Sequence, residues 1–361
     1  MKRENNLDFL RIIACIMVIS IHVSALYVTK YIETPNFKFT IGNFYDSFSR
    51  LGVPIFVLLS GKFALSDEKN IDVKYYYKKL LKRILIPTFI WSLLYFLYSY
   101  TSIVVFYILY KDLKNIFSPI KSWIIGAPYY HLWYLYMSIG LYLSVPYLLK
   151  LKKKIGEKNF FKVGIVFFIL GFFLFFFEEF LNYINFYDRN DIFRYLKYFW
   201  YFNQFKFITY LGYFILGYSL KNKNVNFKNM IFLTTIFLSL MFLTIEILIR
   251  KNLMENALIF YSNNFIFTMG GAISVYLAFT NLKAEKIKLD FSNLAFHSFN
   301  IYLVHAGILS AVTAFLDSIL KYEPNPIWYI PFMIFFIFIT SYIFSIVLEK
   351  LKNKILNKKS F

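Results

Sequence analysis

Arg11 and His22 are two ionisable residues inside the first strongly apolar stretch of the chain. That stretch runs Leu7-Asp-Phe-Leu-Arg-Ile-Ile-Ala-Cys-Ile-Met-Val-Ile-Ser-Ile-His22. Eleven helical residues turn the chain through about 1,100°, three turns and about 20°, and advance it about 16 Å. Asp8, Arg11, Cys15, Val18 and His22 therefore share one stripe, stepping 3, 4, 3, 4. An imidazole titrates near neutrality and can take a proton from a hydroxyl, and a guanidinium can hold an anion. Ionisable groups inside a membrane span are costly and normally face a bundle interior or a wet cavity. The stripe thus predicts a path from one membrane face toward its middle. An i,i+3 ion pair at the helix end would explain Asp8 and Arg11 alone; it leaves His22, much deeper, without a role.

Four further groups carry chemistry. In Asp46-Ser-Phe-Ser-Arg50-Leu-Gly-Val-Pro54-Ile-Phe-Val-Leu-Leu-Ser60-Gly61, Arg50 is expected in the outer part of the second span, with Asp46 as its partner one turn earlier. Ser60-Gly61 reads as a close-packing site. Lys78, Lys79, Lys82 and Arg83 stack within two helical turns before the third span, where they can neutralise phosphates of a ligand or of lipid headgroups. His131 opens the fourth span, and Tyr302 and His305 lie inside the ninth, as candidates to line a cavity. Glu246 with Arg250, and Glu178-Glu179, read as cavity groups or as interfacial anchors. Four scattered histidines and a single cysteine, Cys15, predict no metal site and no intramolecular disulfide.

These residues need elements to hold them. The chain has 361 residues, is 59% hydrophobic and 23% aromatic, and its mean hydropathy is +0.54. That excludes a soluble globular protein, since such chains are about 45–50% apolar. Apolar stretches long enough to cross a bilayer recur at about 7–28, 42–65, 84–108, 131–149, 161–181, 206–220, 230–250, 263–281, 298–316 and 327–349. The expectation is an all-α polytopic membrane protein of about ten helices, forming a single domain over 1–361. Lys2-Arg3, an apolar run and Val23-Ser24-Ala25 imitate a signal peptide, but Asp8 and Arg11 in its core predict a retained span.

The net charge of +20 does not point to nucleic acid. With the N-terminus inside, 26 Lys/Arg fall on inner segments and 13 on outer ones, with Arg11 the fortieth. This bias predicts both termini in the cytoplasm, and membrane lipids as neighbours of the basic loops. With 33 Lys to 7 Arg, each arginine is informative. The outer loop 182–205, rich in aromatics with Asp188, Arg189, Asp191 and Arg194, reads as a lid or as an interfacial helix.

Taken in order, these pieces resemble the acyltransferase-3 family of bacterial membrane O-acyltransferases. Leu7-Asp8-Phe9-Leu10-Arg11 through His22 is similar to the family's first-span arginine followed, after ten residues, by a histidine. Arg50 to Gly61 resembles its second-span stretch ending in Ser-Gly. Lys78-Lys79-Leu-Leu-Lys82 resembles its basic triplet, with lysine where arginine is usual and without arginine's bidentate fork. His131-Leu-Trp-Tyr-Leu and Asn300-Ile-Tyr-Leu-Val-His305 resemble two further recurrent stretches.

The resemblance implies transfer of an acyl group, commonly acetyl, from cytoplasmic acyl-CoA to a hydroxyl of a cell-surface or lipid-linked glycan. It places the chain in the bacterial cytoplasmic membrane. Lys78, Lys79, Lys82, Arg83 and Arg11 would hold the phosphate-bearing donor. His22 would act as base or acyl carrier, Arg50, Tyr302 or His305 would stabilise the oxyanion, and His131 and Tyr302 would meet the substrate. A homo-oligomer is compatible with this reading. The rival readings are a transporter or flippase of a lipid-linked saccharide, using the same charges as a substrate path, and a membrane sensor or scaffold.

Overall fold

The computed structural model describes residues 4–110, 117–183, 202–221, 223–282, 287, 289–320 and 322–357. Their regular structure is helical throughout: α1 (Asn5–Tyr31), α2 (Phe37–Ser49), α3 (Gly52–Ser66), α4 (Val73–Leu80), α5 (Ile86–Tyr110), α6 (Ser118–Ile124), α7 (Trp133–Tyr183), α8 (Phe207–Ser219), α9 (Phe227–Arg250), α10 (Met254–Ile259), α11 (Ile266–Thr280), α12 (Ser292–Ile319) and α13 (Pro326–Asn357). Seven helical segments are long and apolar enough to cross a membrane, and α8 and α11 are shorter apolar helices. Most of the expected 182–205 loop, residues 184–201, lies outside the described residues. The chain falls into two compact units, Met1–Phe56 with Asn222–Phe361, and Val57–Lys221.

In the first unit α1 is the hub. Its face Ile12, Cys15, Ile19, Val23 and Tyr27 packs with Ile301 and Leu309 of α12 and with Ile330, Met333 and Ile337 of α13. The 3- and 4-residue steps keep that face on one side of the helix. Asn36 starts α2 by accepting from the Lys38 and Phe39 backbone amides. From there α2 runs antiparallel to α1: a Cβ on Gly42 would sit 3.0 Å from Tyr27 Cβ, and Ser49 Oγ donates to Ser20 Oγ at 2.8 Å. The start of α3 continues the descent, with Gly52 against the Ala14 carbonyl. Glu323, on the loop before α13, ties three points together. It pairs with Lys30 at 3.2 Å and Lys38 at 2.7 Å, and it accepts the Tyr31 hydroxyl.

In the second unit the expected fourth and fifth spans are the two arms of α7, two helices that meet at a break at Gly156 (φ 76°, ψ 164°). The break falls inside the expected loop at 150–162; Lys and Glu are good helix formers and carry helix up to it on both sides, and only the glycine takes the positive φ. Against this helix lies α8, which also meets α3 backbone to backbone. A Cβ on Gly61 would run into the Phe214 carbonyl, and one on Gly217 into the Leu58 carbonyl. Ser60 Oγ accepts from Tyr142 Oη at 3.0 Å, so Ser60-Gly61 is a packing site as expected. Between α4 and α5 the chain widens into a π-helical turn over Leu81–Leu85. Pro87 cannot donate to the Arg83 carbonyl, and the wider turn absorbs the lost bond. One buried cation was not anticipated: Lys152 pairs with Glu68 at 2.6 Å and with Tyr218 Oη at 3.2 Å.

Two outcomes are expected from this packing. Gly217→Val should push α8 off α3 and destabilise the detergent-solubilised protein by about 1–3 kcal/mol, read as a lower Tm. For Glu323, burial works against ionisation, but the bonds from Lys38, Tyr31 and Lys30 prevail and hold its pKa below the usual range. A lowered folded pKa adds stability above the unfolded value, about 4.3, and loses it as pH falls through the folded one. Glu323→Gln should therefore lower Tm near neutral pH, and the gap to wild type should close below about pH 4. A gap that persists in acid would mean the carboxylate's charge is not what stabilises this loop.

Candidate active site

The site begins with a break in a helix. Pro54 lacks an amide hydrogen, and its ring would clash with the carbonyl four residues back, that of Arg50. The 37–66 span accordingly stops at Ser49 and restarts at Gly52. Arg50 stands at this break, thirteen helical residues or roughly 20 Å into the span. It lies midway along the span, beside Ser20 of α1 through the Ser49 bond, and not in the outer part as the sequence reading had it.

A guanidinium at that depth needs compensation, and Asp46 supplies it. Arg50 Nη2 donates to Asp46 Oδ2 at 2.8 Å, and Nε lies 2.7 Å from Oδ1, an ion pair on a carboxylate that is 1% exposed. The Tyr261 ring lies under the guanidinium at 4.5 Å. Tyr261 Oη in turn donates to Asn43 Oδ1 at 2.7 Å, and Asn43 Nδ2 donates to Glu246 Oε2 at 3.1 Å. Glu246 also pairs with Arg250 and accepts from Thr40. Arg50 is thus held by Asp46 and by the Tyr261 ring.

Beside it lie two histidines. The His22 ring, half-buried on α1, stacks on that of His305 on α12 with centroids 5.4 Å apart and planes at 25°. Arg50 follows Ser49, whose bond to Ser20 sets it at the level of His22 on α1. His305 is fully buried, and its Nδ1 lies 2.6 Å from the Tyr302 carbonyl. A carbonyl only accepts, so Nδ1 carries the proton and Nε2 the lone pair. Tyr302 therefore orients His305 through its backbone, and its ring lies 5.6 Å away. Such a group can accept a proton from a nucleophile beside a fixed positive charge.

Arg11 keeps the helical register expected of it but pairs with Asp8 at 3.5 Å. Between Arg11 and His22 on the stripe, Cys15 and Val18 are buried, and Cys15 belongs to the apolar core. The stripe is therefore polar at its two ends and apolar between them.

The other candidates belong to the second unit. Lys78, Lys82 and Arg83 are exposed on α4 and the π-helical turn. Lys79 is engaged, with Nζ 3.2 Å from Asp67 and 3.1 Å from Asn70 Oδ1. His131 is buried just ahead of α7, edge-on to Tyr95 at 5.0 Å and to Tyr129 at 5.7 Å. No group of His, Cys, Asp and Glu among the described residues could hold a metal.

Sequence reasoning missed Tyr261 and Asn43. Nothing local distinguishes a tyrosine in a loop or an asparagine in an apolar helix. Their pairing with residues more than two hundred positions away gives no periodic signal.

A family model described as an acyltransferase domain matches residues 4–346, nearly the whole chain. No curated protein and no solved structure matches it. The chain belongs to the acyltransferase-3 family of membrane acyltransferases.

Proposed function

We propose that the protein transfers an acyl group, acetyl in the first instance, from acyl-CoA to a hydroxyl of a cell-surface or lipid-linked glycan. We place it in the bacterial cytoplasmic membrane, with ten crossings and both termini in the cytoplasm. The observation that carries the reading is the His22–His305 stack beside Arg50, inside a chain of this family.

The reaction is written as follows. One imidazole, His22 or His305, takes the proton of the acceptor hydroxyl as its oxygen attacks the thioester carbonyl. The carbonyl oxygen gains negative charge, and the Arg50 guanidinium is the fixed positive group nearby to stabilise it. The C–S bond then breaks, and the thiolate recovers the proton from the imidazolium. Ester and free CoA thiol result. Arg50 adds no reorganisation cost in this scheme, because Asp46 and Tyr261 already hold it. Lys78, Lys82 and Arg83 are assigned the donor's phosphates.

Purified protein supplied with labelled acetyl-CoA and acceptor glycan tests this. His22→Ala and His305→Ala should each lower transfer by about 10²–10⁴-fold. Full transfer by both variants would refute the assignment, and saccharide movement without acyl-CoA would indicate a transporter. Arg50→Lys keeps the charge but loses the guanidinium's hold on Asp46. It should lower kcat by about 10²-fold with little change in KM for the donor.

A further inference from the structure

The first unit contains a cavity of about 380 Å³, within the usual size range of small-ligand sites. It is lined by three tyrosines, Tyr27, Tyr322 and Tyr329, and by Lys30, Asp317 and Glu323. Its place on the helices is informative. Leu26 and Lys30 line it one and two turns beyond His22 on α1, about 6 and 12 Å along the axis. Thr313 and Leu316 line it two and three turns beyond His305 on α12. Offsets of 4 and 8 on one helix, and 8 and 11 on the other, keep these residues on the faces that carry the two imidazoles. The cavity thus lies on the same helix faces as the histidine stack, toward the ends of α1 and α12 farthest from Arg11.

Its lining also has a definite chemistry. Tyr27 is fixed, with its hydroxyl donating to the Pro324 carbonyl at 2.9 Å and its ring edge-on to Tyr329 at 6.1 Å. Lys30 is engaged with Glu323, which also holds Lys38. The lysine therefore offers little attraction to a new anion. Asp317 adds a second, exposed carboxylate on the α12 wall. Ring faces suit the C–H faces of a pyranose, and carboxylate oxygens accept from its hydroxyls. An acidic sugar would meet the like charge of Asp317, whereas Glu323 is already paired with Lys30 and Lys38.

We propose that this cavity is the acceptor port, and that it takes an uncharged saccharide residue in preference to an acidic one. The assignment rests on the acyltransferase reading above. It adds to that reading where the acceptor binds and what charge it carries.

The test uses the purified full chain, labelled acetyl-CoA and two soluble probes, chitotriose (neutral) and trigalacturonic acid (acidic). The neutral trimer should be acetylated about tenfold or more faster, the size of one screened charge contact. Asp317→Lys should shift that ratio by about tenfold toward the acidic trimer. Ser318→Lys, which puts a lysine next to the cavity wall but not on it, should leave the ratio where it was. Equal rates in wild type, or a ratio that Asp317→Lys and Ser318→Lys change alike, would overturn the port. So would failure to acetylate either trimer while label is still released from acetyl-CoA to water. Loss of that release as well would remove the acyltransferase reading, and the port with it.

Discussion

A guanidinium in the middle of an apolar span is the constraint from which the first unit's site follows. On insertion scales a lone arginine at that depth costs about 2.5–3.5 kcal/mol. Arg50 offsets this through the ion pair with buried Asp46 and through the face of Tyr261. The arrangement needs the backbone to open, and Pro54 opens it by removing the bond that the Arg50 carbonyl would otherwise receive. Asn43 holds Tyr261 and Glu246 holds Asn43, so the charge in mid-span is linked through the Tyr261 ring and two hydrogen bonds to the ion pair with Arg250 at the end of α9. A fixed positive charge beside two imidazoles results.

The helices can hold those imidazoles only because they approach closely. Between apolar helices in lipid, association rests on packing and on hydrogen bonds across the interface, more than on burial from water. Gly42 and Gly52 let α2 and α3 lie on α1, and Ser49 bonds Ser20 at the level of the site. Tyr302 locks the tautomer of His305 from one turn away on its own helix. The second unit follows the same rules with other residues: Gly61 and Gly217 set the α3–α8 approach, and Lys152 is buried only because Glu68 and Tyr218 receive it.

Much of this was legible in the chain. Apolar stretches located the helices, because a bilayer demands long apolar segments and permits only self-satisfied backbone. The 3.6-residue period put Arg11 and His22 on one stripe, and an i,i+4 spacing paired Arg50 with Asp46. Local chemistry was harder to place in depth. Arg50 read as an outer residue because hydropathy does not register a break inside a span. The connection between the fourth and fifth spans read as a loop at 150–162, whereas helix runs up to Gly156 and resumes after it, because a run of lysines keeps good helix propensity. Lys79 read as part of a free basic cluster, whereas Asp67 and Asn70 occupy it.

By itself the sequence determined the helical membrane class, the family, and which rare polar side chains sit in apolar surroundings, since each depends on composition and on spacings within one helix. Tertiary structure decided which of those side chains meet. His22 and His305 are 283 positions apart, and no period connects them; they stack because α1 and α12 share a core. Tyr261 reaches Arg50 across a similar gap. Contacts between distant segments are set by how helices pack, and packing is a property of the whole assembly of faces, which no single stretch of residues encodes.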